Sequence, residues 1–383
     1  MFKSYTEFLL LYYDEYHTPI QRIIENLGED ISLLVLEIEI DNLYNTKENH
    51  PEISNGINYL RIDGRDSFAN DYISHAIKAN ASYQIGYNLS AALSRPFLAK
   101  KVVEYLRAND INNLVHGFTG NDQIRFEMAI MVLAPDIKIH SISFLLGNEN
   151  NNNESQYTIS SNIWGRSIEG FDLEDPWVSA VDDIFERVTV IEKSTANPIC
   201  VHLSFENGIP VAIDNYKMSL TALMEKLDEM AKPYYIGVSD MLEDGFVGLK
   251  TRAIYEFPAS FIIRCAHQDL ERLVFTRRQQ EFKKIVDNKW SDLIYDGLWF
   301  DPQRESLEAY INHVSTYVTG EVKALLSCGG VNIVGRKSPL ALYDKSLAVY
   351  RAGQDFGIEC SKYLAQTMST SMQASAARNK QIL

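Results

Sequence analysis

Three observations predict an α/β fold: a mostly parallel sheet, then a second domain of α+β type, then a C-terminal arm. Short apolar runs alternate with helical patterns from Phe8 to Ser143, a polar stretch breaks the chain at Gly147–Ser155, and longer helices with hairpin turns follow it. Strands that alternate with helices fold into a parallel sheet covered on both faces, and ligands in such sheets bind beyond the carboxyl ends of the strands.

The elements follow in order. Phe8 to Tyr12 is a short apolar run that reads as the first strand, and Ile20, Ile23, Ile24 and Leu27 fall at helical spacing after it. Pro19 suits the first turn of that helix, where no N–H is needed. Strands are expected at Leu33–Ile38, Tyr59–Ile62, Leu114–His116 and Ile137–Ser143, with helices at Arg65–Ala79 and Pro96–Ala108. The stretch GNENNNNES, Gly147 to Ser155, reads as an exposed loop at a domain boundary. Beyond it, strands at Ile199–Phe205 and Val331–Val334, helices at Leu220–Ala231 and Gln279–Lys289, and turn signals at Glu206-Asn207-Gly208 and Gly329-Gly330 suggest an α+β domain. Gly357 to Leu383, rich in Ala, Ser, Gln and Met, reads as a terminal helix or arm, either frayed or docked on another subunit. The expected division is therefore 1–150, 151–356 and 357–383.

Composition narrows the function. A 383-residue chain that is 46% hydrophobic can bury a large core. Its net charge of −15 and pI near 5.0 leave no broad basic face for a phosphate backbone, which excludes nucleic acid as the expected partner. No apolar run reaches the roughly 18 residues of a membrane span, and no signal peptide opens the chain, so a cytoplasmic location is expected. Cys200, Cys265, Cys328 and Cys360 are widely spaced and form no metal or disulfide pattern.

Six segments carry a resemblance: Ala81–Lys101 (ASYQIGYNLSAALSRPFLAKK), His116–Glu127 (HGFTGNDQIRFE), Asn162–Trp177 (NIWGRSIEGFDLEDPW), Val247–Ala259 (VGLKTRAIYEFPA), Tyr295–Pro302 (YDGLWFDP) and Gly335–Asp344 (GRKSPLALYD). In this order they resemble argininosuccinate synthases along nearly the whole chain. The resemblance implies an ATP-pyrophosphatase-type first domain, a synthetase domain, and an arm that knits a homotetramer. It also implies a reaction in which the ureido oxygen of citrulline attacks the α-phosphate of ATP. Pyrophosphate leaves, and the amine of aspartate then displaces AMP to give argininosuccinate. ATP and Mg²⁺ are the expected co-reactants wherever that activity survives.

Carried over one position at a time, the resemblance assigns Thr119, Asn121 and Asp122 to aspartate, Tyr87, Arg125, Ser167, Glu243 and Tyr255 to citrulline, and Thr158 to the substrate pocket. A carboxylate such as Asp122 suits an ammonium group, and the forked donors of Arg125 suit a carboxylate. Ala92 stands where the family has serine, and Thr158 also replaces a serine. Without the resemblance the same residues read more plainly. Asp122 and Arg125, three apart, make an ordinary helix-surface ion pair; Tyr87 and Tyr255 are half-buried aromatics; Glu243-Asp244-Gly245 is a turn.

The nucleotide loops depart most. The family's turn after the first strand reads S-G-G-x-D-[ST]-S, whose glycines let backbone N–H groups close around pyrophosphate. Here the stretch is Tyr13-Asp14-Glu15-Tyr16-His17-Thr18-Pro19: no glycine, two carboxylates, and a proline without an N–H. The second loop, H-G-x-T-G-K-G-N-D-Q in the family, is His116-Gly117-Phe118-Thr119-Gly120-Asn121-Asp122-Gln123, without the Lys-Gly pair. His17 has no second histidine at ligand spacing, so no metal site is expected there. The expectation is a family member that keeps its amino-acid pocket without the ATP loops, a pseudoenzyme or amino-acid-binding protein. The alternative is a divergent ligase that has rebuilt its nucleotide site.

Overall fold

The computed structural model describes residues 6–12, 20–27, 31–41, 58–146, 157–191, 196–345 and 358–382. They divide into a large unit, Met1–Leu340, and a C-terminal one, Ala341–Leu383. The polar stretch from Gly147 to Ser155 and the turn from Tyr13 to Pro19, with Asp14, Glu15, His17 and Thr18, lie outside the described residues.

The chain begins β1 (Thr6–Tyr12), α1 (Ile20–Leu27), β2 (Ile31–Glu39), β3 (Asn58–Asp63), α2 (Arg65–Phe68), α3 (Ser74–Lys78), α4 (Ser90–Ala108), β4 (Asn113–His116), α5 (Gly120–Leu133), β5 (Lys138–Ser141) and α6 (Ile142–Leu146). Its five strands form one parallel sheet in the order β3-β2-β1-β4-β5. The central strand explains the continuous apolar run: Leu9 and Leu11 enter one core while Phe8, Leu10 and Tyr12 enter another, because successive side chains point to opposite faces. Strand order reverses between β1 and β4, and their carboxyl ends, Tyr12 and His116, flank the crevice where such sheets take ligands.

Two expectations are corrected here. The helix placed at Pro96 starts at Ser90, after Leu89 in a left-handed conformation, φ 64°. Ser90 to Arg95 are all buried, and tertiary packing outweighs the missing N–H of the interior proline. The last strand stops at Ser141 rather than Ser143, and the chain turns directly into α6.

The rest of the large unit continues β6 (Thr158–Asn162), β7 (Gly165–Glu169), β8 (Ile199–Glu206), β9 (Ile209–Ile213), β10 (Tyr216–Lys217), α7 (Leu220–Ala231), β11 (Val238–Asp244), β12 (Lys250–Glu256), α8 (Pro258–Val274), α9 (Arg277–Tyr295), α10 (Pro302–Ser315), β13 (Gly320–Ser327) and β14 (Gly330–Lys337). These strands make two antiparallel sheets, β10-β9-β8-β13-β14 and β11-β12-β7-β6. The Asn207-Gly208 signal becomes a tight hairpin between β8 and β9, with φ of 51° and 83°, the two left-handed residues such a turn requires. The four-stranded sheet positions the site. One of its faces buries Ile168 and Ile254 against Leu173 and Ile184, so the alternate residues Ser160, Ser167, Glu169 and Tyr255 must face the other way.

The C-terminal unit holds one long helix, α11 (Ile358–Ile382), with Tyr363, Leu364, Met368 and Met372 exposed along it. All four cysteines are free. Among the described residues no helix is long and apolar enough to cross a membrane, and no group of His, Cys, Asp or Glu could hold a metal ion.

Candidate amino-acid site

A cavity of about 510 Å³ opens between the four-stranded sheet and the amino ends of α4 and α5. Tyr87 and Ala91 line it from the start of α4; Thr119, Asn121, Asp122 and Arg125 from α5 and the residue before it; and Thr158, Ser167, Glu243 and Tyr255 from the sheet. All nine residues assigned to substrate are on its walls. Strand register accounts for the sheet side: Thr158 lies opposite Glu169, Ser167 opposite Tyr255, and Glu243 opposite Thr251, all on one face. Gly117 is off the wall, in the connection from β4 to α5.

Three of the plainer readings are overturned by burial. Arg125 is 4% exposed and Tyr87 and Tyr255 are 3% and 2%; the two rings stack with centroids 4.5 Å apart. Asp122 is no member of a surface pair, because it accepts from both Arg125 Nη1 (3.0 Å) and Arg95 Nη2 (2.8 Å), and Arg95 is fully buried. Glu243 is in strand β11 rather than a turn: its carboxylate accepts from the Tyr255 hydroxyl at 2.7 Å and faces the Tyr295 hydroxyl at 3.1 Å. Strand pairing with β12 extends to Asp244, and the turn begins only after it.

The electrostatics follow from this packing. Burial alone would raise the Asp122 carboxyl, but the guanidiniums of Arg95 and Arg125 overcome it and hold Asp122 below the usual carboxylate range. Glu243 goes the other way: burial dominates and pushes it up, against the opposing hydroxyls of Tyr255 and Tyr295 and the charge of Arg125. Glu169 reaches water through the cavity mouth yet has protein on most sides. Burial first, then the neighbouring Asp122 and Glu243, push it up to about 7. The cavity thus sets Arg125, with Lys250 and Arg252 also on its wall, among the carboxylates Asp122, Glu169, Glu174 and Glu243. Arg125 keeps its Nη2 free of hydrogen bonds to the described residues, a donor available to a carboxylate. A zwitterion is the ligand class such an array suits.

Several wall residues escaped the sequence reading: Ser160, Glu169, Glu174, Lys250, Thr251 and Arg252. Glu169 follows Ser167 by two, so the period of a strand could have found it. Behind the wall, Arg95 precedes the helix start expected at Pro96, and Tyr295 opens a resemblance segment without any local sign that it reaches Arg125 and Glu243. Ala92 does not reach the cavity; its backbone N–H donates to the Tyr87 hydroxyl at 3.0 Å.

At the carboxyl edge of the parallel sheet the chemistry differs. Phe118 is 1% exposed and packs between Phe126, 4.8 Å away, and the Arg95 guanidinium, 4.6 Å away. His116 is fully buried and pairs with Glu127 at 3.1 Å. The connection from Gly117 to Thr119 carries no lysine or arginine.

A parallel sheet of this order, with its neighbouring antiparallel sheets and a zwitterion-suited cavity, defines a HUP-type domain joined to a second α/β unit. Residues 18–157 match the family model described as the arginosuccinate synthase N-terminal HUP domain, and residues 157–374 match the arginosuccinate synthase C-terminal domain. The chain belongs to the argininosuccinate synthase family. It is 38% identical to the argininosuccinate synthase of Pyrococcus furiosus over 352 residues, 88% of this chain and 86% of that one. Similar matches are the enzymes of that name from Dictyoglomus turgidum, 41% identical over 78% of this chain and 79% of the relative, and from Lactiplantibacillus plantarum, 40% over 77% and 76%. The match to the N-terminal model starts at residue 18, so β1 and residues 13–17 of the turn after it fall outside the matched stretch.

Proposed function

We propose that this chain binds aspartate, citrulline or argininosuccinate-like amino acids in the cavity and has given up the family's use of ATP, acting as a pseudoenzyme or amino-acid-binding protein. One observation carries the reading: the nine substrate positions converge on one cavity, while the first ATP loop lacks the family's glycines and the second its Lys-Gly pair. Random decay would erode both sites alike. Selective loss at one of them points to retained small-molecule binding. The domain limits 1–150, 151–356 and 357–383, a C-terminal helix that builds a homo-oligomer (tetramer or dimer), and a cytoplasmic location belong to the same proposal.

A second reading has its own support. Relatives that share more than a third of their residues with the chain bear the name of the active ligase, and the ligand-facing side of the second domain is intact. On this reading the chain is a divergent ATP-dependent C–N ligase that joins aspartate to citrulline or a related substrate through a rebuilt nucleotide site with Mg²⁺.

Calorimetric titration of the purified chain with Mg²⁺-ATP, in the presence of citrulline and aspartate, separates the two. No heat from ATP, with saturable binding of an amino acid, is the expected result. Micromolar ATP binding with release of pyrophosphate would overturn it in favour of the ligase.

A further inference from the structure

Arg125 and Glu243 reach the cavity from different elements, α5 and β11, and neither element fixes the other. One residue touches both without lining the cavity. Tyr295, the last residue of α9, is 1% exposed, and its ring stacks on Tyr83 with centroids 3.6 Å apart and 9° between planes. The Arg125 guanidinium lies 4.7 Å from the centre of that ring, and Arg125 Nε donates to the Tyr295 carbonyl oxygen at 2.8 Å. The Tyr295 hydroxyl lies 3.1 Å from Glu243 Oε1 and 2.8 Å from the Asp244 carbonyl oxygen.

We propose that Tyr295 is the positioning residue of this cavity, a single rigid ring that sets Arg125 for the carboxylate and Glu243 for the ammonium group of an amino acid. The proposal rests on reading the cavity as an amino-acid site. A cation held over a ring and a backbone carbonyl together leave the guanidinium little freedom, so its free Nη2 is aimed before a ligand arrives. The hydroxyl holds Glu243 in either protonation state, and more strongly when it is ionised, because a hydrogen bond donated to a carboxylate is charge-assisted. It has one proton and two acceptors within reach. When Glu243 is ionised the proton points to Oε1, and the Asp244 carbonyl keeps the Tyr83 hydroxyl at 3.0 Å. When Glu243 is protonated, it donates to the Tyr295 oxygen, whose own proton turns to the Asp244 carbonyl. Either way no polar group is stranded.

Tyr295→Phe tests this on the full-length chain, because it keeps the ring and the backbone carbonyl and deletes only the hydroxyl. The first readout needs no ligand: carbon NMR titration of the Glu243 carboxyl, identified as the resonance absent from Glu243→Gln. Loss of a hydrogen bond that favours the charged form is expected to raise its midpoint by about one pH unit; an unchanged midpoint overturns the proposal. The second readout is titration with citrulline and with its des-amino analogue, 5-ureidopentanoate. Citrulline is expected to weaken about tenfold, as for loss of a hydrogen bond to a charged group, and the analogue less than about twofold. Equal weakening of both overturns the assignment. A raised midpoint in a chain that binds neither compound would sink the amino-acid reading while upholding the link from Tyr295 to Glu243.

Discussion

The floor of the cavity and the carboxyl edge of the parallel sheet are the molecule's two candidate binding regions, and they are built to opposite rules. On the floor, charged groups are over-constrained: Asp122 is gripped by two arginines and Glu243 by Tyr255 with Tyr295 beside it. At the edge, Phe118 is buried and the buried His116 pairs with the half-buried Glu127, with no cation between Gly117 and Thr119. The lesson is that the residues of one such region can change without disturbing the other. The two sites draw on different strands and share only the first turn of α5, where Thr119 and Asp122 face the cavity.

The comparison breaks most readily at Arg125. Arg125→Ala leaves Asp122 with one guanidinium instead of two in a buried setting, and removing one partner of a buried pair costs about 3–5 kcal/mol. Amino-acid binding is expected to vanish in a calorimetric titration, with the melting temperature lowered as well. Retained binding would show that the floor does not hold the ligand.

A graft sharpens the other side. Replacing Tyr13–Pro19 with the glycine-rich turn of the family, or inserting Lys-Gly after Gly120, is expected to produce no measurable ATP binding alone, whereas both together produce it, since backbone donors and a cation act jointly on a triphosphate. ATP binding by either single graft, followed in the same calorimeter, would mean that the edge is less altered than its residues indicate.

Protonation gives a third test. Glu169 has its pKa raised from an ordinary 4.5 to about 7, so between those values the folded state binds the more protons and stability falls as pH rises. Glu169→Gln removes that penalty. At pH 8 the variant is expected to melt at most a few degrees above the parent, because water screens the exposed part of this carboxylate, and the difference should close below pH 5. A difference that does not change with pH would place Glu169 in a wetter setting than its surroundings imply.

The smallest effect is expected at Ala92. Restoring the family's serine adds one hydroxyl next to the Tyr87 hydroxyl, which already accepts from the residue 92 backbone. A single neutral hydrogen bond contributes about 0.5–1.5 kcal/mol, so citrulline affinity should change by less than about tenfold in titration. A larger gain would identify residue 92 as the reason the pocket departs from the family.

By itself the sequence determined the parallel first sheet, the two hairpin turns and the residue types of the cavity, because alternation, helical spacing and left-handed turn residues are local properties of the chain. It showed Asp122 and Arg125 three apart, but not that Arg95 completes them, since that contact crosses 27 positions. It placed Glu243 in a turn, since Asp-Gly follows it, whereas pairing with β12 carries the strand one residue past it. Only the tertiary structure could bring Tyr295, 170 positions from Arg125 and 52 from Glu243, against both. Burial, not residue type, then separated three carboxylates into one held low and two pushed up, because desolvation and neighbouring charge exist only once the chain has closed around them.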